Sequence, residues 1–561
     1  MSSRESADTE VLVAGAGPVG LTAAHELARR GIRVRIVDRA EGPAVTSRAT
    51  ATHARALEVY HQMGLLEDVL RLGRKVDRFT MHQRGRALAR LDADFSELPT
   101  RFPFTLQIDQ VLTERVLRDH VRDLGVKIEW GVALEDLEDL EDLGDGVRVR
   151  LRHGEGEPET VTVPWLIGAD GAHSTVRKKL GMPLLGENNE TWLTADAVLD
   201  TDLPPDSLHW MHTGNGTILM VPFPATNTWR LLDTVDVDRA DEPEVIAARF
   251  ARKISEGTGR PTTVRELTWV SVFTIRQRMI REMRAGRVFL AGDAAHVHSP
   301  ASGQGMNTGV QDAHNLAWKL AGVLRGRAEE KLLDSYSAER VPVGEKLLLS
   351  TKTATGLVAL RNAAAPVLLP LALGLLSAVR PLKRRVERKV QREMSGLALS
   401  YPQSPLTVPA QETGGIAPGG RVGCSAAEER SSAGWREFSA ELTDPRWTLL
   451  ARAGSTGGRK VLERIDARYG EAVSVRSVSE TGDDATGPHP MADPGAALWR
   501  GIGVPGTGFA LIRPDGYLAA KGPLTTAGAL EELLRGLHLV PGPSAPAETP
   551  AADAPATEKP E

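Results

Sequence analysis

The residues best equipped for chemistry lie in 288–320, VFLAGDAAHVHSPASGQGMNTGVQDAHNLAWKL. The apolar run 288–291 is short enough for a buried parallel strand. Gly292 lets the chain turn, and Asp293 then offers a carboxylate at the strand's carboxyl end, where open α/β sheets bind ligands. Gly303 and Gly305 remove side chains where a flat group can approach the backbone. From about Asn307 the spacing of Val310, Ala313, Ala317 and Leu320 predicts a helix. A helix N-terminus carries partial positive charge and favours a ligand that holds or develops negative charge. The reduced ring of a flavin, negative along its N1 and C2-carbonyl edge, suits that place. Taken by itself the stretch also fits an ordinary strand–loop–helix crossover, so its chemistry depends on partners elsewhere in the chain.

A partner stands at the N-terminus. Residues 11–14 read as a strand, Gly15-Ala16-Gly17-Pro18-Val19-Gly20 is a GxGxxG turn, and Leu21, Ala24, Leu27 and Ala28 give a helix face that stops at Gly31. Residues 33–37 form a second strand closed by Asp38, an acid at a spacing suited to binding a ribose. Gly15 permits the turn, Gly17 lets backbone amides reach a pyrophosphate, and Gly20 packs helix on strand. This unit points to a dinucleotide without choosing FAD over NAD(P). A further turn, Gly168-Ala169-Asp170-Gly171, follows the strand starting at Trp165 and leads to a helix capped by Ser174. Gln107 leads into a helix over 112–121.

The elements around these turns fall into blocks. The acidic triplet repeat 134–142 and the strand 147–151 predict a hairpin with a solvated acidic end; calcium spacing is absent. Between 185 and 275 the βα rhythm gives way to strands at 216–222, 228–234 and 267–275, a mostly antiparallel insert. Its aromatics include Trp192, Phe223 and Trp229, candidates for lining an apolar pocket. The apolar run 363–379 contains Pro366 and Pro370 and reads as buried or surface helices, with no stable membrane insertion. A Pro/Gly-rich linker at 401–420 precedes a third unit over 421–540, with a strand at 446–451, a helix at 460–469 and a hairpin about Pro514-Asp515-Gly516. The tail 541–561 is Pro, Ala and acid, a disordered composition.

The chain's 561 residues allow two or three domains. A net charge of −5 with mixed signs argues against nucleic-acid binding. Cys424 is the single cysteine, which excludes an internal disulfide, a CxxC pair or a cysteine zinc cluster; no metal site is expected. One cysteine and a polar N-terminus fit a cytoplasmic protein.

The set Gly15–Gly20, Asp38-Arg39, Ser47-Arg48-Ala49, 168–177 and 291–307, with the QDAHNLAWKL helix after it, resembles the class A FAD-dependent aromatic monooxygenases, the p-hydroxybenzoate and phenol hydroxylase group. The Arg513-Pro514-Asp515-Gly516 element resembles the thioredoxin-like C-terminal domain of the phenol hydroxylase branch, which includes polyketide-tailoring hydroxylases of antibiotic biosynthesis. The resemblance implies an α/β fold. A Rossmann-like FAD-binding domain would span 1–184 and 276–400, with a helical segment at 354–400. A substrate domain would span 185–275 and part of 75–105, and a thioredoxin-like domain without redox cysteines 421–540.

It also implies roles. Gly15, Gly17, Pro18 and Gly20 would cradle the pyrophosphate of noncovalent FAD, with Asp38 and Arg39 at the adenosine ribose. Arg48 and Gln107 would contact the cofactor or its surroundings. Asp170 would support FAD and shape NADPH or NADH access. Gly292 and Asp293 would hold the ribityl–pyrophosphate part, and Gly303, Gly305, Met306 and Asn307 the isoalloxazine, with Pro300 beside its reactive face. Pro300 and Arg48 are the candidate catalytic positions. NAD(P)H would reduce FAD, O2 would add to give a C4a-hydroperoxide, and an electron-rich polycyclic aromatic substrate would take one oxygen atom. The protein would position, desolvate and polarise. A monomer or homodimer fits. Two alternatives share these motifs: a Baeyer–Villiger oxygenase, and an FAD-binding interaction protein without turnover. His53, His296 and His298 are expected to support the site and do not identify a substrate base.

Overall fold

A computed structural model describes residues 9–543 apart from Arg48, 93–97, 140–145, 214–215, 236–241, 299–302, 360–384, 386–390, 393–394, 411–413, 482–486 and Pro505. The strand β1 (Val11–Ala14), the helix α1 (Pro18–Ala28) and the strand β2 (Val34–Asp38) form a parallel βαβ unit. The strand β3 (Trp165–Gly168) pairs with β1 on its other side, and β4 (Val288–Leu290) pairs with β3, both in parallel. These are the inner strands of a six-stranded sheet flanked by Arg284–Ala285 and Ile128–Trp130. Residues of β1, β3 and β4 are buried on both faces, which is why they read as unbroken apolar runs. Because all three are parallel, the turns after Ala14, Gly168 and Leu290 leave the same edge of the sheet side by side.

The helix α2 (Gly305–Leu324) follows the last of these turns and packs along α1. It starts two residues before the expected Asn307, so Gly305 and Met306 lie in its first turn. The long helix α3 (Asp334–Ala359) comes next. The apolar run 363–379 lies outside the described residues; among those described, no helix is long and apolar enough to cross a membrane.

An eight-stranded sheet holds the insert, with Leu185–Asp200 and Thr263–Met279 as its longest antiparallel pair, toward one edge. Arg78–Gln83 joins it by parallel pairing with Ser207–Thr213, and Arg86–Asp92 closes that edge. The helix Pro243–Thr258 is absent from the sequence reading of this region. Pro243 opens it and Gly259, at φ +72°, ends it. It packs Ile246, Phe250 and Ile254 against Leu193, Ala195 and Leu231 on one face of the sheet. The acidic stretch lies in the outer strand Val132–Asp139 of a three-stranded sheet, where Glu138 meets Arg148 at 2.8 Å and Asp136 meets Lys179 at 3.1 Å.

The C-terminal region forms a five-stranded mixed sheet in the order Pro490–Ala492, Val473–Ser479, Trp447–Ala451, Gly508–Ile512, Leu518–Pro523. Its core continues into α2, where Trp318 packs edge-on against Trp447, ring centres 5.5 Å apart. The described residues of 401–420 correct the linker expectation, because they are docked. Tyr401 is buried and its N–H donates to Gly419 O at 2.8 Å; Gly419 N–H donates to Leu518 O at 2.7 Å, and Val408 N–H to Ala519 O at 2.8 Å. The glycines there serve close packing: a Cβ on Gly419 would lie 2.6 Å from Tyr401 O.

Candidate cofactor site

The first turn shows what its glycines do. Gly15 has φ +106°, and a Cβ on it would lie 2.3 Å from Ala169 O, so the GxGxxG turn and the 168–171 turn touch through backbone. A Cβ on Gly20 would lie 1.9 Å from Gly15 O, the close helix–strand contact. Gly17 differs, because a Cβ there would meet no protein atom within 4 Å. Gly17 caps α1 without a side-chain hydrogen bond, Pro18 follows, and no acid stands in the first turn. Backbone N–H groups at such a terminus suit a pyrophosphate. Asp38 stands at the end of β2 and accepts from Ala16 N–H at 2.7 Å and Ala40 N–H at 2.9 Å, fixing the acid beside the turn.

Val19 joins this turn to the third. Cβ atoms on Gly292 and Gly309 would lie 2.7 and 2.6 Å from its Cγ2, so only glycines admit it between the 292 turn and α2. Gly292 has φ +61°, and Asp293 is exposed in the short turn Gly292–Ala294. Asp170 accepts from Thr175 N–H at 2.6 Å and Val176 N–H at 3.2 Å through one oxygen; its other oxygen, Oδ1, is buried with no partner. Ser174 caps the same helix, accepting from Arg177 N–H at 2.9 Å. The Arg177 guanidinium then donates to Ala294 O and to Ala172 O, both at 3.1 Å, and ties the second turn to the third. Arg177 closes the 168–177 motif in sequence, but its partner, 117 residues away, is not readable there.

The far end of the site is a loop pair held by Asn307. Its side chain accepts from His53 N–H at 2.8 Å and donates to Ala51 O and Gly303 O, each at 2.8 Å. The Asn307 amide is thus engaged by the chain and holds 51–53 against 303–307. Gly303 has φ +62°, and α2 begins with no acid and no side-chain cap in its first turn, leaving a dipole end at Gly305 and Met306. Gln107, at the end of Thr105–Gln107, is buried with its Oε1 unpartnered. Arg48 and Pro300 lie outside the described residues. Among the described residues, two buried oxygens without partners, two open helix N-termini and a glycine cap uncrowded by protein fit a dinucleotide lying across all three turns. FAD fits: Gly15, Gly17 and Gly20 would hold its pyrophosphate and residues 303–307 its ring.

Under the third turn lies a buried polar chain. Asp312 of α2 accepts from Gly292 N–H at 3.1 Å, His296 Nε2 at 2.6 Å and Arg340 Nε at 2.6 Å. Burial opposes its charge, but Arg340 and His296 prevail and lower its pKa to about 2. His296 Nε2 therefore carries the proton donated to Asp312, and His296 Nδ1 lies 2.9 Å from His298 Nε2. Burial and His296 hold the His298 pKa well below its ordinary value, and its Nδ1 is buried without a partner. A Cβ on Gly305 would sit 3.6 Å from the His298 ring.

The insert presents one sheet face to these loops. Arg230 forms a two-pronged pair with Asp196, both contacts 2.8 Å, donates to Ser47 O at 2.7 Å and lies over the Phe223 and Trp269 rings. Arg230 was not singled out in sequence, because nothing local separates it from a surface arginine. Asp109, near this pair, has its pKa raised by burial. Trp192 shares the Arg230 face by register. Trp229 does not: pairing with Ala197, it lies on the opposite face in the core beneath Pro243–Thr258, which removes it from the expected pocket. Phe223 follows the strand Gly216–Pro222 and touches Arg230.

Residues 8–351 match the family model described as FAD binding domain. The chain is 54% identical over 555 residues to the 6-methylpretetramide 4-monooxygenase of Streptomyces rimosus, covering 99% of this chain and 98% of that one. Its fold is similar to that of the anhydrotetracycline hydroxylase from Streptomyces rimosus, with a TM-score of 0.73, 29% identity, and 95% and 99% of the two chains covered. The same fold is seen in aklavinone-11 hydroxylase, solved with FAD and aklavinone, with a TM-score of 0.73, 24% identity, and 95% and 99% covered.

Proposed function

We propose that this chain, which belongs to the FAD-binding-domain family of flavoprotein aromatic monooxygenases, hydroxylates a polycyclic aromatic polyketide of the kind named for its end-to-end relative. The observation that carries this reading is the 54% identity over nearly the whole of both chains. The three turns supply its physical basis. The reaction balances as substrate plus O2 plus NAD(P)H plus a proton, giving hydroxylated product, NAD(P)+ and water.

Bound across the turns, FAD supplies hydride acceptance from NADPH or NADH and activation of O2. The chain's own residues bind, orient and exclude water. Gly15, Gly17 and Gly20 admit the pyrophosphate to the N-terminus of α1, and Asp38 with Arg39 borders the ribose. Asp170 and Gln107 each hold a buried oxygen ready for a donor. Gly292 and Asp293 line the third turn. Gly303, Gly305 and Met306 bring the N-terminus of α2 to the ring edge where negative charge develops, a fixed dipole that needs no reorganisation. Arg48 and Pro300 stand close in sequence to this ring end. Trp192 and Phe223, with Arg230 between the sheet and Ser47, form the wall that receives the substrate.

The domain reading follows. Residues 1–184 and 276–400 hold the cofactor, 185–275 with part of 75–105 the substrate, and 421–540 form a thioredoxin-like unit of structural purpose. Burial pushes the Cys424 thiol up to about 12, in keeping with a non-redox role. A cytoplasmic setting suits the reductant.

The test is purified yellow holoprotein with 6-methylpretetramide, NADPH or NADH, and ¹⁸O2. Substrate-stimulated NAD(P)H oxidation and one ¹⁸O in a phenolic product are expected. A lactone product would replace hydroxylation with Baeyer–Villiger insertion, and no stimulated oxidation across a panel of polycyclic phenols would overturn the enzyme reading.

A further inference from the structure

The C-terminal unit has no redox cysteine pair, yet its Arg513-Pro514-Asp515-Gly516 loop is bonded into the buried contact with the cofactor unit. Arg513 is 1% exposed. Its guanidinium grips Glu339 of α3 with both prongs, at 2.5 and 2.9 Å, and Asp515 at 2.9 and 2.6 Å. Glu339 also accepts from Lys319 at 2.8 Å, Asn315 at 2.8 Å and Ser404 at 2.5 Å. Asn315 donates to Asp515 as well, at 3.1 Å, and Arg55 donates to Asp515 O at 2.7 Å. Charges at this depth are tolerated only when every partner is present. Burial opposes the Glu339 charge, but Arg513 and Lys319 hold the carboxyl well below the usual carboxylate range.

The next residue of α3 carries the contact onward. Arg340, held by the same helix turn, donates to Asp312 Oδ1 at 2.6 Å, to Tyr401 OH at 2.8 Å and to Thr308 O at 3.2 Å. Asp312 in turn holds Gly292 N–H and His296, which meets His298 beside Gly305. Four buried links therefore run from Arg513 to the third turn: Arg513 to Glu339, along the backbone to Arg340, to Asp312, to Gly292. Lys319, Asn315 and Asp312 all lie on α2, the helix whose first residues form the ring end of the site.

We propose that Arg513 is a positioning residue for the cofactor: the C-terminal unit acts as a latch that sets Glu339 and Arg340, and through Asp312 fixes the Gly292 turn and the N-terminus of α2. The inference rests on the reading that those two elements hold FAD.

Arg513→Lys keeps the charge and loses the two-pronged grip; Arg513→Met removes both. Apoprotein is titrated with FAD by quenching of flavin fluorescence. The Kd is expected to rise about tenfold in Arg513→Lys. In an Asp312→Asn background the same change should raise it less than threefold, because the path is already cut. Leu539→Ala weakens the docking of the two units away from this path, where buried Leu539 bridges to Ala328. It should lower the melting temperature and leave the FAD Kd within twofold of wild type. Should Arg513→Met fail to fold, Arg513→Lys carries the test. If Arg513→Lys lowers the melting temperature like Leu539→Ala while its FAD Kd stays within twofold, the loop is a docking contact only and the proposal is overturned. Wild-type apoprotein that binds no FAD would overturn the cofactor reading and this inference with it, an outcome distinct from normal binding by both proteins.

Discussion

Two βαβ units in this chain are built alike and end differently. β1–α1–β2 and the unit Trp447–Ala451, Thr456–Tyr469, Val473–Ser479 each pair their strands in parallel. In both, a glycine at the third helical position sits against a carbonyl five residues earlier. A Cβ on Gly20 would lie 1.9 Å from Gly15 O, and one on Gly458 2.3 Å from Ala453 O. The residue that caps the helix is what differs. Gly17 offers no side chain, whereas Ser455 accepts from Gly458 N–H at 3.2 Å. The first helix leaves its orphan N–H groups uncapped by any side chain and open to a ligand; the second satisfies one from within. The neighbours differ too. β3 and β4 bring two further glycine turns to the same edge, while the C-terminal unit's neighbouring strand Gly508–Ile512 runs antiparallel and carries its exit to the opposite edge. A βαβ unit becomes a dinucleotide site when the helix cap is left open and parallel neighbours add their turns.

Four changes break or sharpen this comparison. The largest effect is expected from Gly20→Val, which forces a side chain into the Gly15 carbonyl. A loss of at least ~3 kcal/mol should leave little folded protein by circular dichroism, and a normally melting variant would remove the packing argument. Acid should act next, through the chain beneath the third turn. The Asp312 pKa is lowered in the folded state, so its contribution is complete above about pH 4 and lost as pH falls through about 2. That contribution is ~2–3 kcal/mol, and a melting-temperature profile between pH 5 and 2 should be flatter in Asp312→Asn.

A smaller and more selective effect is expected from Gly17→Ser. Its backbone, at φ −76°, accepts a side chain and no protein atom stands in the way. The melting temperature of apoprotein should hold, while a self-capped helix loses about tenfold in FAD affinity, the equivalent of one hydrogen bond of ~1.4 kcal/mol. Unchanged affinity would show that the open cap is not what separates the two units. The smallest effect belongs to Ser455→Ala, which should cost ~1 kcal/mol of stability and leave FAD affinity untouched.

Much of the cofactor end was legible in sequence because its signals are local. The boundaries of β1 were read as observed, Ser174 caps its helix, and the glycines with φ above zero mark turns. Of the C-terminal elements, the strand, helix and hairpin named in sequence fell within a few residues, the helix expected at 460–469 running over Thr456–Tyr469 from the Ser455 cap. Strands such as Val473–Ser479 and helices such as Ala527–Gly536 were not read. The insert was less so. Its helix Pro243–Thr258 was missed, and Trp229 was placed in the pocket although sheet register turns it to the other face. A strand's inward face is set by partners that the strand itself does not name. The 401–420 segment was read as a linker because Pro and Gly signal both loose chain and close packing.

The sequence by itself determined which turns this chain can make and what they can hold. Gly15, Gly20, Gly292 and Gly303 are conformational or steric facts of single positions, and their order along the chain already indicated the cofactor family. Tertiary structure decided how those turns are held together. Arg177 reaching Ala294, Asn307 bracing 51–53, Arg230 facing Ser47, and Arg513 gripping Glu339 are pairings across tens to hundreds of residues. Each side chain looks like a solvated polar residue in its own segment. Only when folding removes water do these groups require partners, and the partner that satisfies them is fixed by the packing of the sheets and helices, not by spacing along the chain.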